Sequence, residues 1–388
     1  MQIPSFQQIS SQCSKCLGCA KAACSNACPV HVNIPAVMKL VADGNFSQAT
    51  KVVGHPFGGV CGFVCPHELQ CQGHCVLGKK GSALCGGEAE RYAFMQSPYK
   101  VALCGSCLQG VSVAVIGGGV SGVTFAVKCR EQGADVTIFE QNTLLGTLYS
   151  IPQFRLPHSL VDDVCRCVTD AGIKVNYTFV DEELCQNLQR DFSVVYFATG
   201  ITKGRSLGCQ GEELALPSDD FLRGDYHGKV VVVGGGNTAM DCARLNAQLG
   251  GSSLLLYRRS EADMPAFSKE ISAAKVDGVN FTCNALPVKV ERQGSGLIVT
   301  CANTISQGRG SLQMGDERFT IECDAVVAAV GGEPTVRLGG QKRVAVGQDG
   351  LACGNVYAGG DVIGSSSVAE AVADALRAFS SITQRFGR

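Results

Sequence analysis

Val111-Ser-Val-Ala-Val-Ile-Gly117-Gly118-Gly119-Val-Ser-Gly122 is the stretch on which the fold turns. Val111 to Ile116 is an apolar run of strand length, and Ser121 to Gln132 continues with helical character. Between them, Gly117-x-Gly119-x-x-Gly122 has the spacing of a dinucleotide phosphate loop. The first glycine makes the turn, the second lets a pyrophosphate approach the backbone, and the third packs helix on strand. The next strand, Asp135-Val-Thr-Ile-Phe-Glu140, ends in an acid 18 residues beyond Gly122, placed to bind a ribose hydroxyl. The device recurs downstream. Lys229-Val-Val-Val-Val233 leads into Gly234-x-Gly236-x-x-Ala239, a helix through Leu249, and the strand Ser253-Leu-Leu-Leu-Tyr257. This second strand ends in Arg258-Arg259 instead of an acid. Guanidinium forks match phosphate oxygens bidentately, so a 2′-phosphate and hence NADP(H) is favoured over NAD(H).

Strands alternating with helices mark a parallel α/β sheet, and Val194 to Phe197, Ala325 to Val330 and Val356 to Gly359 supply returning strands. Near the carboxyl end, Gly359-Gly360-Asp361 precedes a helix opening at Ser367-Val368. The aspartate is placed to hold polyol hydroxyls, and the helix N-terminus to offset negative charge on a reduced flavin ring.

Length and composition predict two or three globular domains and exclude disordered and fibrous classes. The 388 residues carry 33 Lys+Arg against 34 Asp+Glu, a balance that argues against nucleic acid or a polybasic membrane surface as partner. Glycine, 48 residues without collagen period, is in excess. Met1 to Ser11 has neither the basic region nor the apolar run of a signal peptide, so a cytoplasmic location is expected. Val101 to Val127 is uncharged and long enough to span a bilayer, but its six glycines and its phosphate loop predict a buried strand, a turn and a buried helix.

Twelve of the 22 cysteines fall in the first 107 residues, a segment that reads as helices between cysteine knots. Helices are expected from Pro35, over Phe46 to Val53, and around Glu88 to Met95. Cys16-x2-Cys19-x4-Cys24-x3-Cys28-Pro29 is followed by Cys61-x3-Cys65-Pro66-x4-Cys71-x3-Cys75. Close thiolate spacings on tight loops, completed by a cysteine from a distant segment, are the pattern of paired iron–sulfur clusters. Zinc is the competing metal, with His67 or His74 as a nitrogen ligand. Cys13-x2-Cys16-x2-Cys19 offers a second way to phase the run.

Several further motifs occur in order: Cys-Pro-Val-His-Val-Asn-Ile-Pro (28–35), Val-Cys-Gly-Phe-Val-Cys-Pro (60–66), Ile-Pro-Gln-Phe-Arg-Leu-Pro (151–157), Ala-Thr-Gly (198–200), and Tyr-Arg-Arg-Ser with Met-Pro-Ala (257–266). With Gly-Gly-Asp (359–361), they make the whole chain resemble the glutamate synthase small-subunit family. That family is shared with the N-terminal part of dihydropyrimidine dehydrogenase and the flavin subunits of bifurcating transhydrogenases. The resemblance implies an α-helical two-cluster domain (1–107), an FAD-binding Rossmann-like domain (108–200 and 331–388) and an inserted NAD(P)H-binding one (201–330). It implies two 4Fe–4S clusters, one on Cys16, Cys19, Cys24 and Cys75, the other on Cys28, Cys65, Cys71 and Glu90. FAD contacts are implied for Gly146, Arg155, Thr199, Gly200, Gly360, Asp361 and Val368 beside the first glycine loop. Asn237 and Thr238 would serve NADP(H) beside the second. The pattern departs at Gly146-Thr147, where the family has two glycines, and in Cys13, Cys61, Cys85, Cys104 and Cys107, which lie outside the implied ligands.

The expected activity is hydride transfer between NADP(H) and FAD, with single electrons passing through the clusters to or from partner subunits of a transhydrogenase or bifurcating type of complex. Ferredoxin is among the candidate partners. The alternative complex is glutamate synthase, with a large subunit as partner. A thioredoxin-reductase-like enzyme would need a Cys-x-x-Cys in the second nucleotide domain, and Cys209, Cys242, Cys283, Cys301 and Cys323 are not so spaced. A non-catalytic iron–sulfur scaffold is disfavoured by two intact glycine loops.

Overall fold

Short helices thread between the cysteines of the amino-terminal segment: Phe6–Cys13, Ala23–Asn26, Ile34–Ala42, Phe46–Val53, Gly58–Val64 and Gly86–Gln96. Local chemistry sets their ends. Asn33 accepts the Ala36 N–H to cap Ile34–Ala42, with Pro35 in its first turn, and Gly54 at φ 77° ends Phe46–Val53. The computed structural model describes residues 4–201, 203–306, 311–334, 338 and 343–387.

The chain divides into two compact units. One comprises Met1–Tyr149, Gln153–Ile201 and Pro334–Arg388, the other Ser150–Pro152 and Thr202–Glu333. The first unit joins the helical segment to a six-stranded sheet in the order Leu351–Cys353, Val356–Ala358, Val194–Phe197, Ser112–Ile116, Asp135–Glu140, Lys174–Tyr177. All neighbours are parallel except the edge strand Leu351–Cys353. Among the parallel strands, sequence order runs outward in both directions from Ser112–Ile116. The first glycine loop therefore leaves the sheet at its topological switch point, where ligands of such sheets bind.

In the second unit, Leu216–Pro217, Ala325–Ala328, Lys229–Val233, Ser252–Tyr257 and Asn280–Cys283 form a parallel sheet in that order. A three-stranded antiparallel sheet, Ala285–Gln293, Gly296–Ser306 and Leu312–Cys323, accompanies it. The strand expected over 325–330 stops at Ala328, and Gly331, at φ 84°, turns the chain away.

The uncharged stretch 101–127 is a loop, the buried strand Ser112–Ile116 and the start of a helix, Val120–Glu131, that is buried almost all round. Its Phe125 stacks on Tyr196 of the neighbouring strand at 4.0 Å between centroids. A helix hydrophobic on every side is here an interior helix. Among the described residues no helix is long and apolar enough to cross a membrane.

Candidate functional site

Two cavities gather the amino-terminal thiols. The first is lined by Cys16, Cys19, Cys24 and Cys75, with Leu17, Pro35, Leu77 and Leu84. The second is lined by Cys28, Cys65, Cys71 and Glu90, together with Cys61, His55, His67, Gln70 and Ala369. Each implied ligand quartet therefore meets at one cavity. Chain order alone would divide them differently, because Cys28 leaves its neighbours for the second cavity and Cys75 crosses to the first. Among the described residues no group of three His, Cys, Asp or Glu side chains is placed to hold a single metal ion. The thiols stand around the cavities, an arrangement suited to a multi-iron cluster.

The donor chemistry of the second cavity fits such a cluster. Backbone N–H groups already point at its thiols: Val30 and Val32 donate to Cys28, Ala369 to Cys65, and Gly87 to Cys71. Burial pushes the Cys28 thiol up to about 11. Cys61 donates to Cys65, which holds the Cys65 thiol below its ordinary range and that of Cys61 above it. Glu90 is 6% exposed and has no hydrogen bond or ion pair among the described residues. Burial holds its carboxyl well above the usual carboxylate range. A carboxyl desolvated without a partner is costly, and coordination to iron offsets that cost once its proton is displaced.

The first glycine loop is shaped for a pyrophosphate. Gly117 sits at φ 103°, and a Cβ there would lie 2.3 Å from the Ala198 carbonyl oxygen, so only glycine fits the turn. A Cβ on Gly122 would meet the Gly117 oxygen at 2.0 Å, whereas one on Gly119 would meet nothing within 4 Å. That open face is where a phosphate approaches. Glu140 accepts the N–H groups of Gly118 at 2.7 Å and Asn142 at 2.8 Å, so its carboxylate also braces the loop. Thr199 and Gly200 follow the adjacent strand. The Thr199 Oγ1 is buried and finds no hydrogen-bond partner among the described residues, as expected of a group awaiting a ligand. Gly146 opens the short helix Gly146–Tyr149, and Arg155 is 7% exposed in the loop beyond it.

Gly360, at φ 82°, donates its N–H to Asp374 Oδ2 at 3.1 Å. Asp374, a residue the sequence did not single out, also accepts from Ser365 and Arg377 and thereby holds the Gly-Gly-Asp turn. Burial, then the nearby Glu370 and Asp374 charges, push the Asp361 carboxyl above its ordinary range. Ser367 caps the helix Val368–Phe386 by accepting the Glu370 N–H at 3.3 Å. Val368 and Ala369 begin that helix, and Ala369 lines the second thiol cavity. The turn assigned to flavin and the cavity assigned to a cluster thus share one helix end.

The second unit repeats the loop. Gly234 would place a Cβ 2.2 Å from the Ala329 oxygen, and Gly236 again faces open space. Asn237 Oδ1 accepts the Phe267 N–H at 3.0 Å, which ties the loop to the segment after Met264-Pro-Ala266, while Thr238 is exposed. Arg258 is exposed and Arg259 half-buried beyond the strand Ser252–Tyr257. Their carbonyls accept from Thr304 Oγ1 at 2.9 Å and Asn284 N–H at 3.0 Å, pinning the backbone that presents the pair.

The remaining amino-terminal cysteines have other surroundings. Cys13 is buried with its Sγ 3.9 Å from Met38 Sδ and is not among the residues lining the first cavity. Cys85 hydrogen-bonds with Cys71, Cys107 donates to Gln132 Oε1 at 3.2 Å, and Cys104 is exposed. Of the second cavity's other lining residues, Cys61 stood in the cysteine run and His67 among the candidate zinc ligands, whereas His55 escaped the sequence motifs. Nothing local marked His55, which lies outside every cysteine run.

Residues 2–100 match the dihydropyrimidine dehydrogenase domain II, 4Fe–4S cluster family, and residues 162–376 match the pyridine nucleotide-disulphide oxidoreductases. Residues 115–172 match the NAD(P)-binding Rossmann-like domain. The chain is 32% identical to the glutamate synthase [NADPH] small chain of Azospirillum brasilense, covering 85% of this chain and 76% of that one. It is 31% identical over 94% of its length to the NADP(+)-dependent formate dehydrogenase subunit beta of Moorella thermoacetica, and 30% identical over 81% to the NADPH-Fe(3+) oxidoreductase subunit beta of Geobacter sulfurreducens. It spans only 60% and 51% of those two proteins. Among solved structures, Lactococcus lactis thioredoxin reductase aligns with a TM-score of 0.58 at 18% identity, over 71% of this chain and 98% of that one, a likeness of fold. The chain therefore belongs to the pyridine nucleotide-disulphide oxidoreductase family, in the group that joins an amino-terminal 4Fe–4S domain to two dinucleotide-binding domains and includes the glutamate synthase small chain.

Proposed function

We propose that this chain is an NADP(H)-linked flavin iron–sulfur oxidoreductase subunit that exchanges single electrons with a partner protein. The observation that carries this reading is the pair of thiol cavities, one of which shares Ala369 with the helix that follows Gly360-Asp361. When bound, the flavin exchanges a hydride with the nicotinamide and single electrons with the clusters. The chain's own residues position and tune. Gly119 and Gly236 leave room for pyrophosphates, Glu140 and Asp361 hold hydroxyls, Arg258 and Arg259 grip a 2′-phosphate, and the two quartets hold iron.

The first cavity is the side on which a partner would meet this chain. Residues 1–107 carry eight Lys+Arg against four Asp+Glu, and the rest of the chain 25 against 30. Segments 14–35 and 69–87, which supply most of the first cavity's lining, carry Lys15, Lys21, Lys79 and Lys80 and no acidic residue. These lysines are exposed beside Leu17 and Val76, which are also exposed. An apolar rim among positive charges suits an acidic one-electron carrier such as a ferredoxin, or an acidic face of a partner subunit in a transhydrogenase-type complex.

The glutamate synthase small subunit is the second reading, favoured by the 90% of the Escherichia coli small chain that this chain spans at 29% identity. Anaerobic purification from the source tests both. Iron and acid-labile sulfide for two clusters, with flavin bleached by NADPH, are expected. Co-purification of a large amidotransferase would establish the second complex, and small iron–sulfur or flavin subunits the first. Protein free of iron, or flavin that NADPH leaves oxidised, would sink the proposal.

A further inference from the structure

His55 belongs to neither ligand quartet, yet it lines the second cavity with Cys28, Cys65, Cys71 and Glu90 and is 1% exposed. Its Nδ1 accepts the backbone N–H of Phe57 at 3.2 Å. A backbone amide can only donate, so Nδ1 must hold a lone pair and the ring proton must sit on Nε2. Burial, aided by the Lys128 charge, pulls the ring's pKa down to about 3, so the imidazole stays neutral with this one donor. Among the described residues nothing accepts that proton. A buried donor left unpaired is costly, which makes an acceptor inside the cavity the natural complement. The sulfurs of an iron–sulfur cluster are acceptors of this kind, and hydrogen bonds to them are one of the protein's levers on reduction potential.

We propose that His55 donates its Nε2 proton to a sulfur of the cluster in the second cavity and raises that cluster's reduction potential. This rests on the reading that the cavity holds a cluster. The effect is electrostatic: each added electron increases negative charge on the sulfurs, and a fixed donor stabilises the reduced form more than the oxidised one. A structural role for the ring, bracing Phe57 through Nδ1, makes a different prediction, and isosteric variants separate the two. His55→Asn keeps an acceptor near the Nδ1 position but loses the donor. His55→Gln places an amide N–H near the Nε2 position.

The test is a redox titration followed by EPR on anaerobically prepared full-length holoprotein, with iron counted in every variant. The expected result is a more negative midpoint for one cluster in His55→Asn and His55→Leu, an unmoved midpoint for the other cluster, and recovery in His55→Gln. ENDOR after exchange into D2O should show an exchangeable proton coupled to that cluster in the wild type and its loss in His55→Asn. Equal midpoints in wild type and His55→Asn at full iron content would overturn the inference and leave the cavity assignment standing. Wild-type holoprotein with iron for only one cluster would overturn the assignment, and the inference with it.

Discussion

Glu90 and Asp361 are both carboxyls whose burial disfavours charge, and they answer differently to substitution. Glu90 faces thiols, so Glu90→Ala should cost the second cluster its fourth ligand while the first is retained. Iron analysis should then fall by up to half of the wild-type content. Asp361 has a raised carboxyl pKa in the folded chain. The native state therefore binds its proton more tightly than the unfolded chain does, and stability at this position is fullest at acid pH. It is lost as pH rises from the ordinary carboxylate range through the raised value. Flavin-free Asp361→Asn should consequently melt higher than wild type at neutral pH, with the advantage gone near pH ~3, below the ordinary carboxylate range. Differential scanning calorimetry at the two pH values checks this. At the arginine pair, replacing Arg258 and Arg259 by Ala removes charge-assisted hydrogen bonds worth about 2 kcal/mol. The KM for NADPH should rise roughly 30-fold at that energy, with NADH little affected. Equal losses for both nucleotides would show that the pair does not read the 2′-phosphate.

At the scale of elements, each phosphate loop sets glycine that the fold requires beside one glycine that faces open space, and substitution tells them apart. Gly119→Val adds side chain where the fold has nothing within 4 Å, so the protein should fold and lose its flavin. Gly117→Val meets the Ala198 carbonyl oxygen in a turn at positive φ and should destabilise the whole first unit by about 1–3 kcal/mol or more. Flavin content and thermal melting, measured together, separate the outcomes. These elements were legible in the sequence. Asp135–Glu140, Lys229–Val233, Val194–Phe197 and Phe46–Val53 fall where pattern and turn residues place them, because apolar runs bounded by glycine leave few other solutions. The Gly86–Gln96 helix begins before the expected Glu88, since Gly86 and Gly87 lie where side chains would strike Ile34 and His67. Close packing against another segment, not propensity, sets that boundary.

Across the whole molecule, the charge balance near zero conceals an uneven distribution, basic around the thiol cavities and acidic elsewhere. Electron exchange between the NADPH-reduced holoprotein and an acidic ferredoxin should slow as ionic strength rises, and slow further when Lys15 and Lys79 are both changed to Glu. A rate indifferent to salt and to both charge reversals would place the partner elsewhere. The two phosphate loops, the acid and arginine pair that distinguish them, and the existence of a cysteine-built metal segment were determined by the sequence alone. Each depends on residues a few positions apart, whose geometry local backbone rules dictate. The burial of Glu90 without a partner and the placing of a desolvated His55 at the second cavity were decided only by the tertiary structure. Each of these depends on segments tens of residues apart meeting around one cavity, and on desolvation that exists only after the helices have packed.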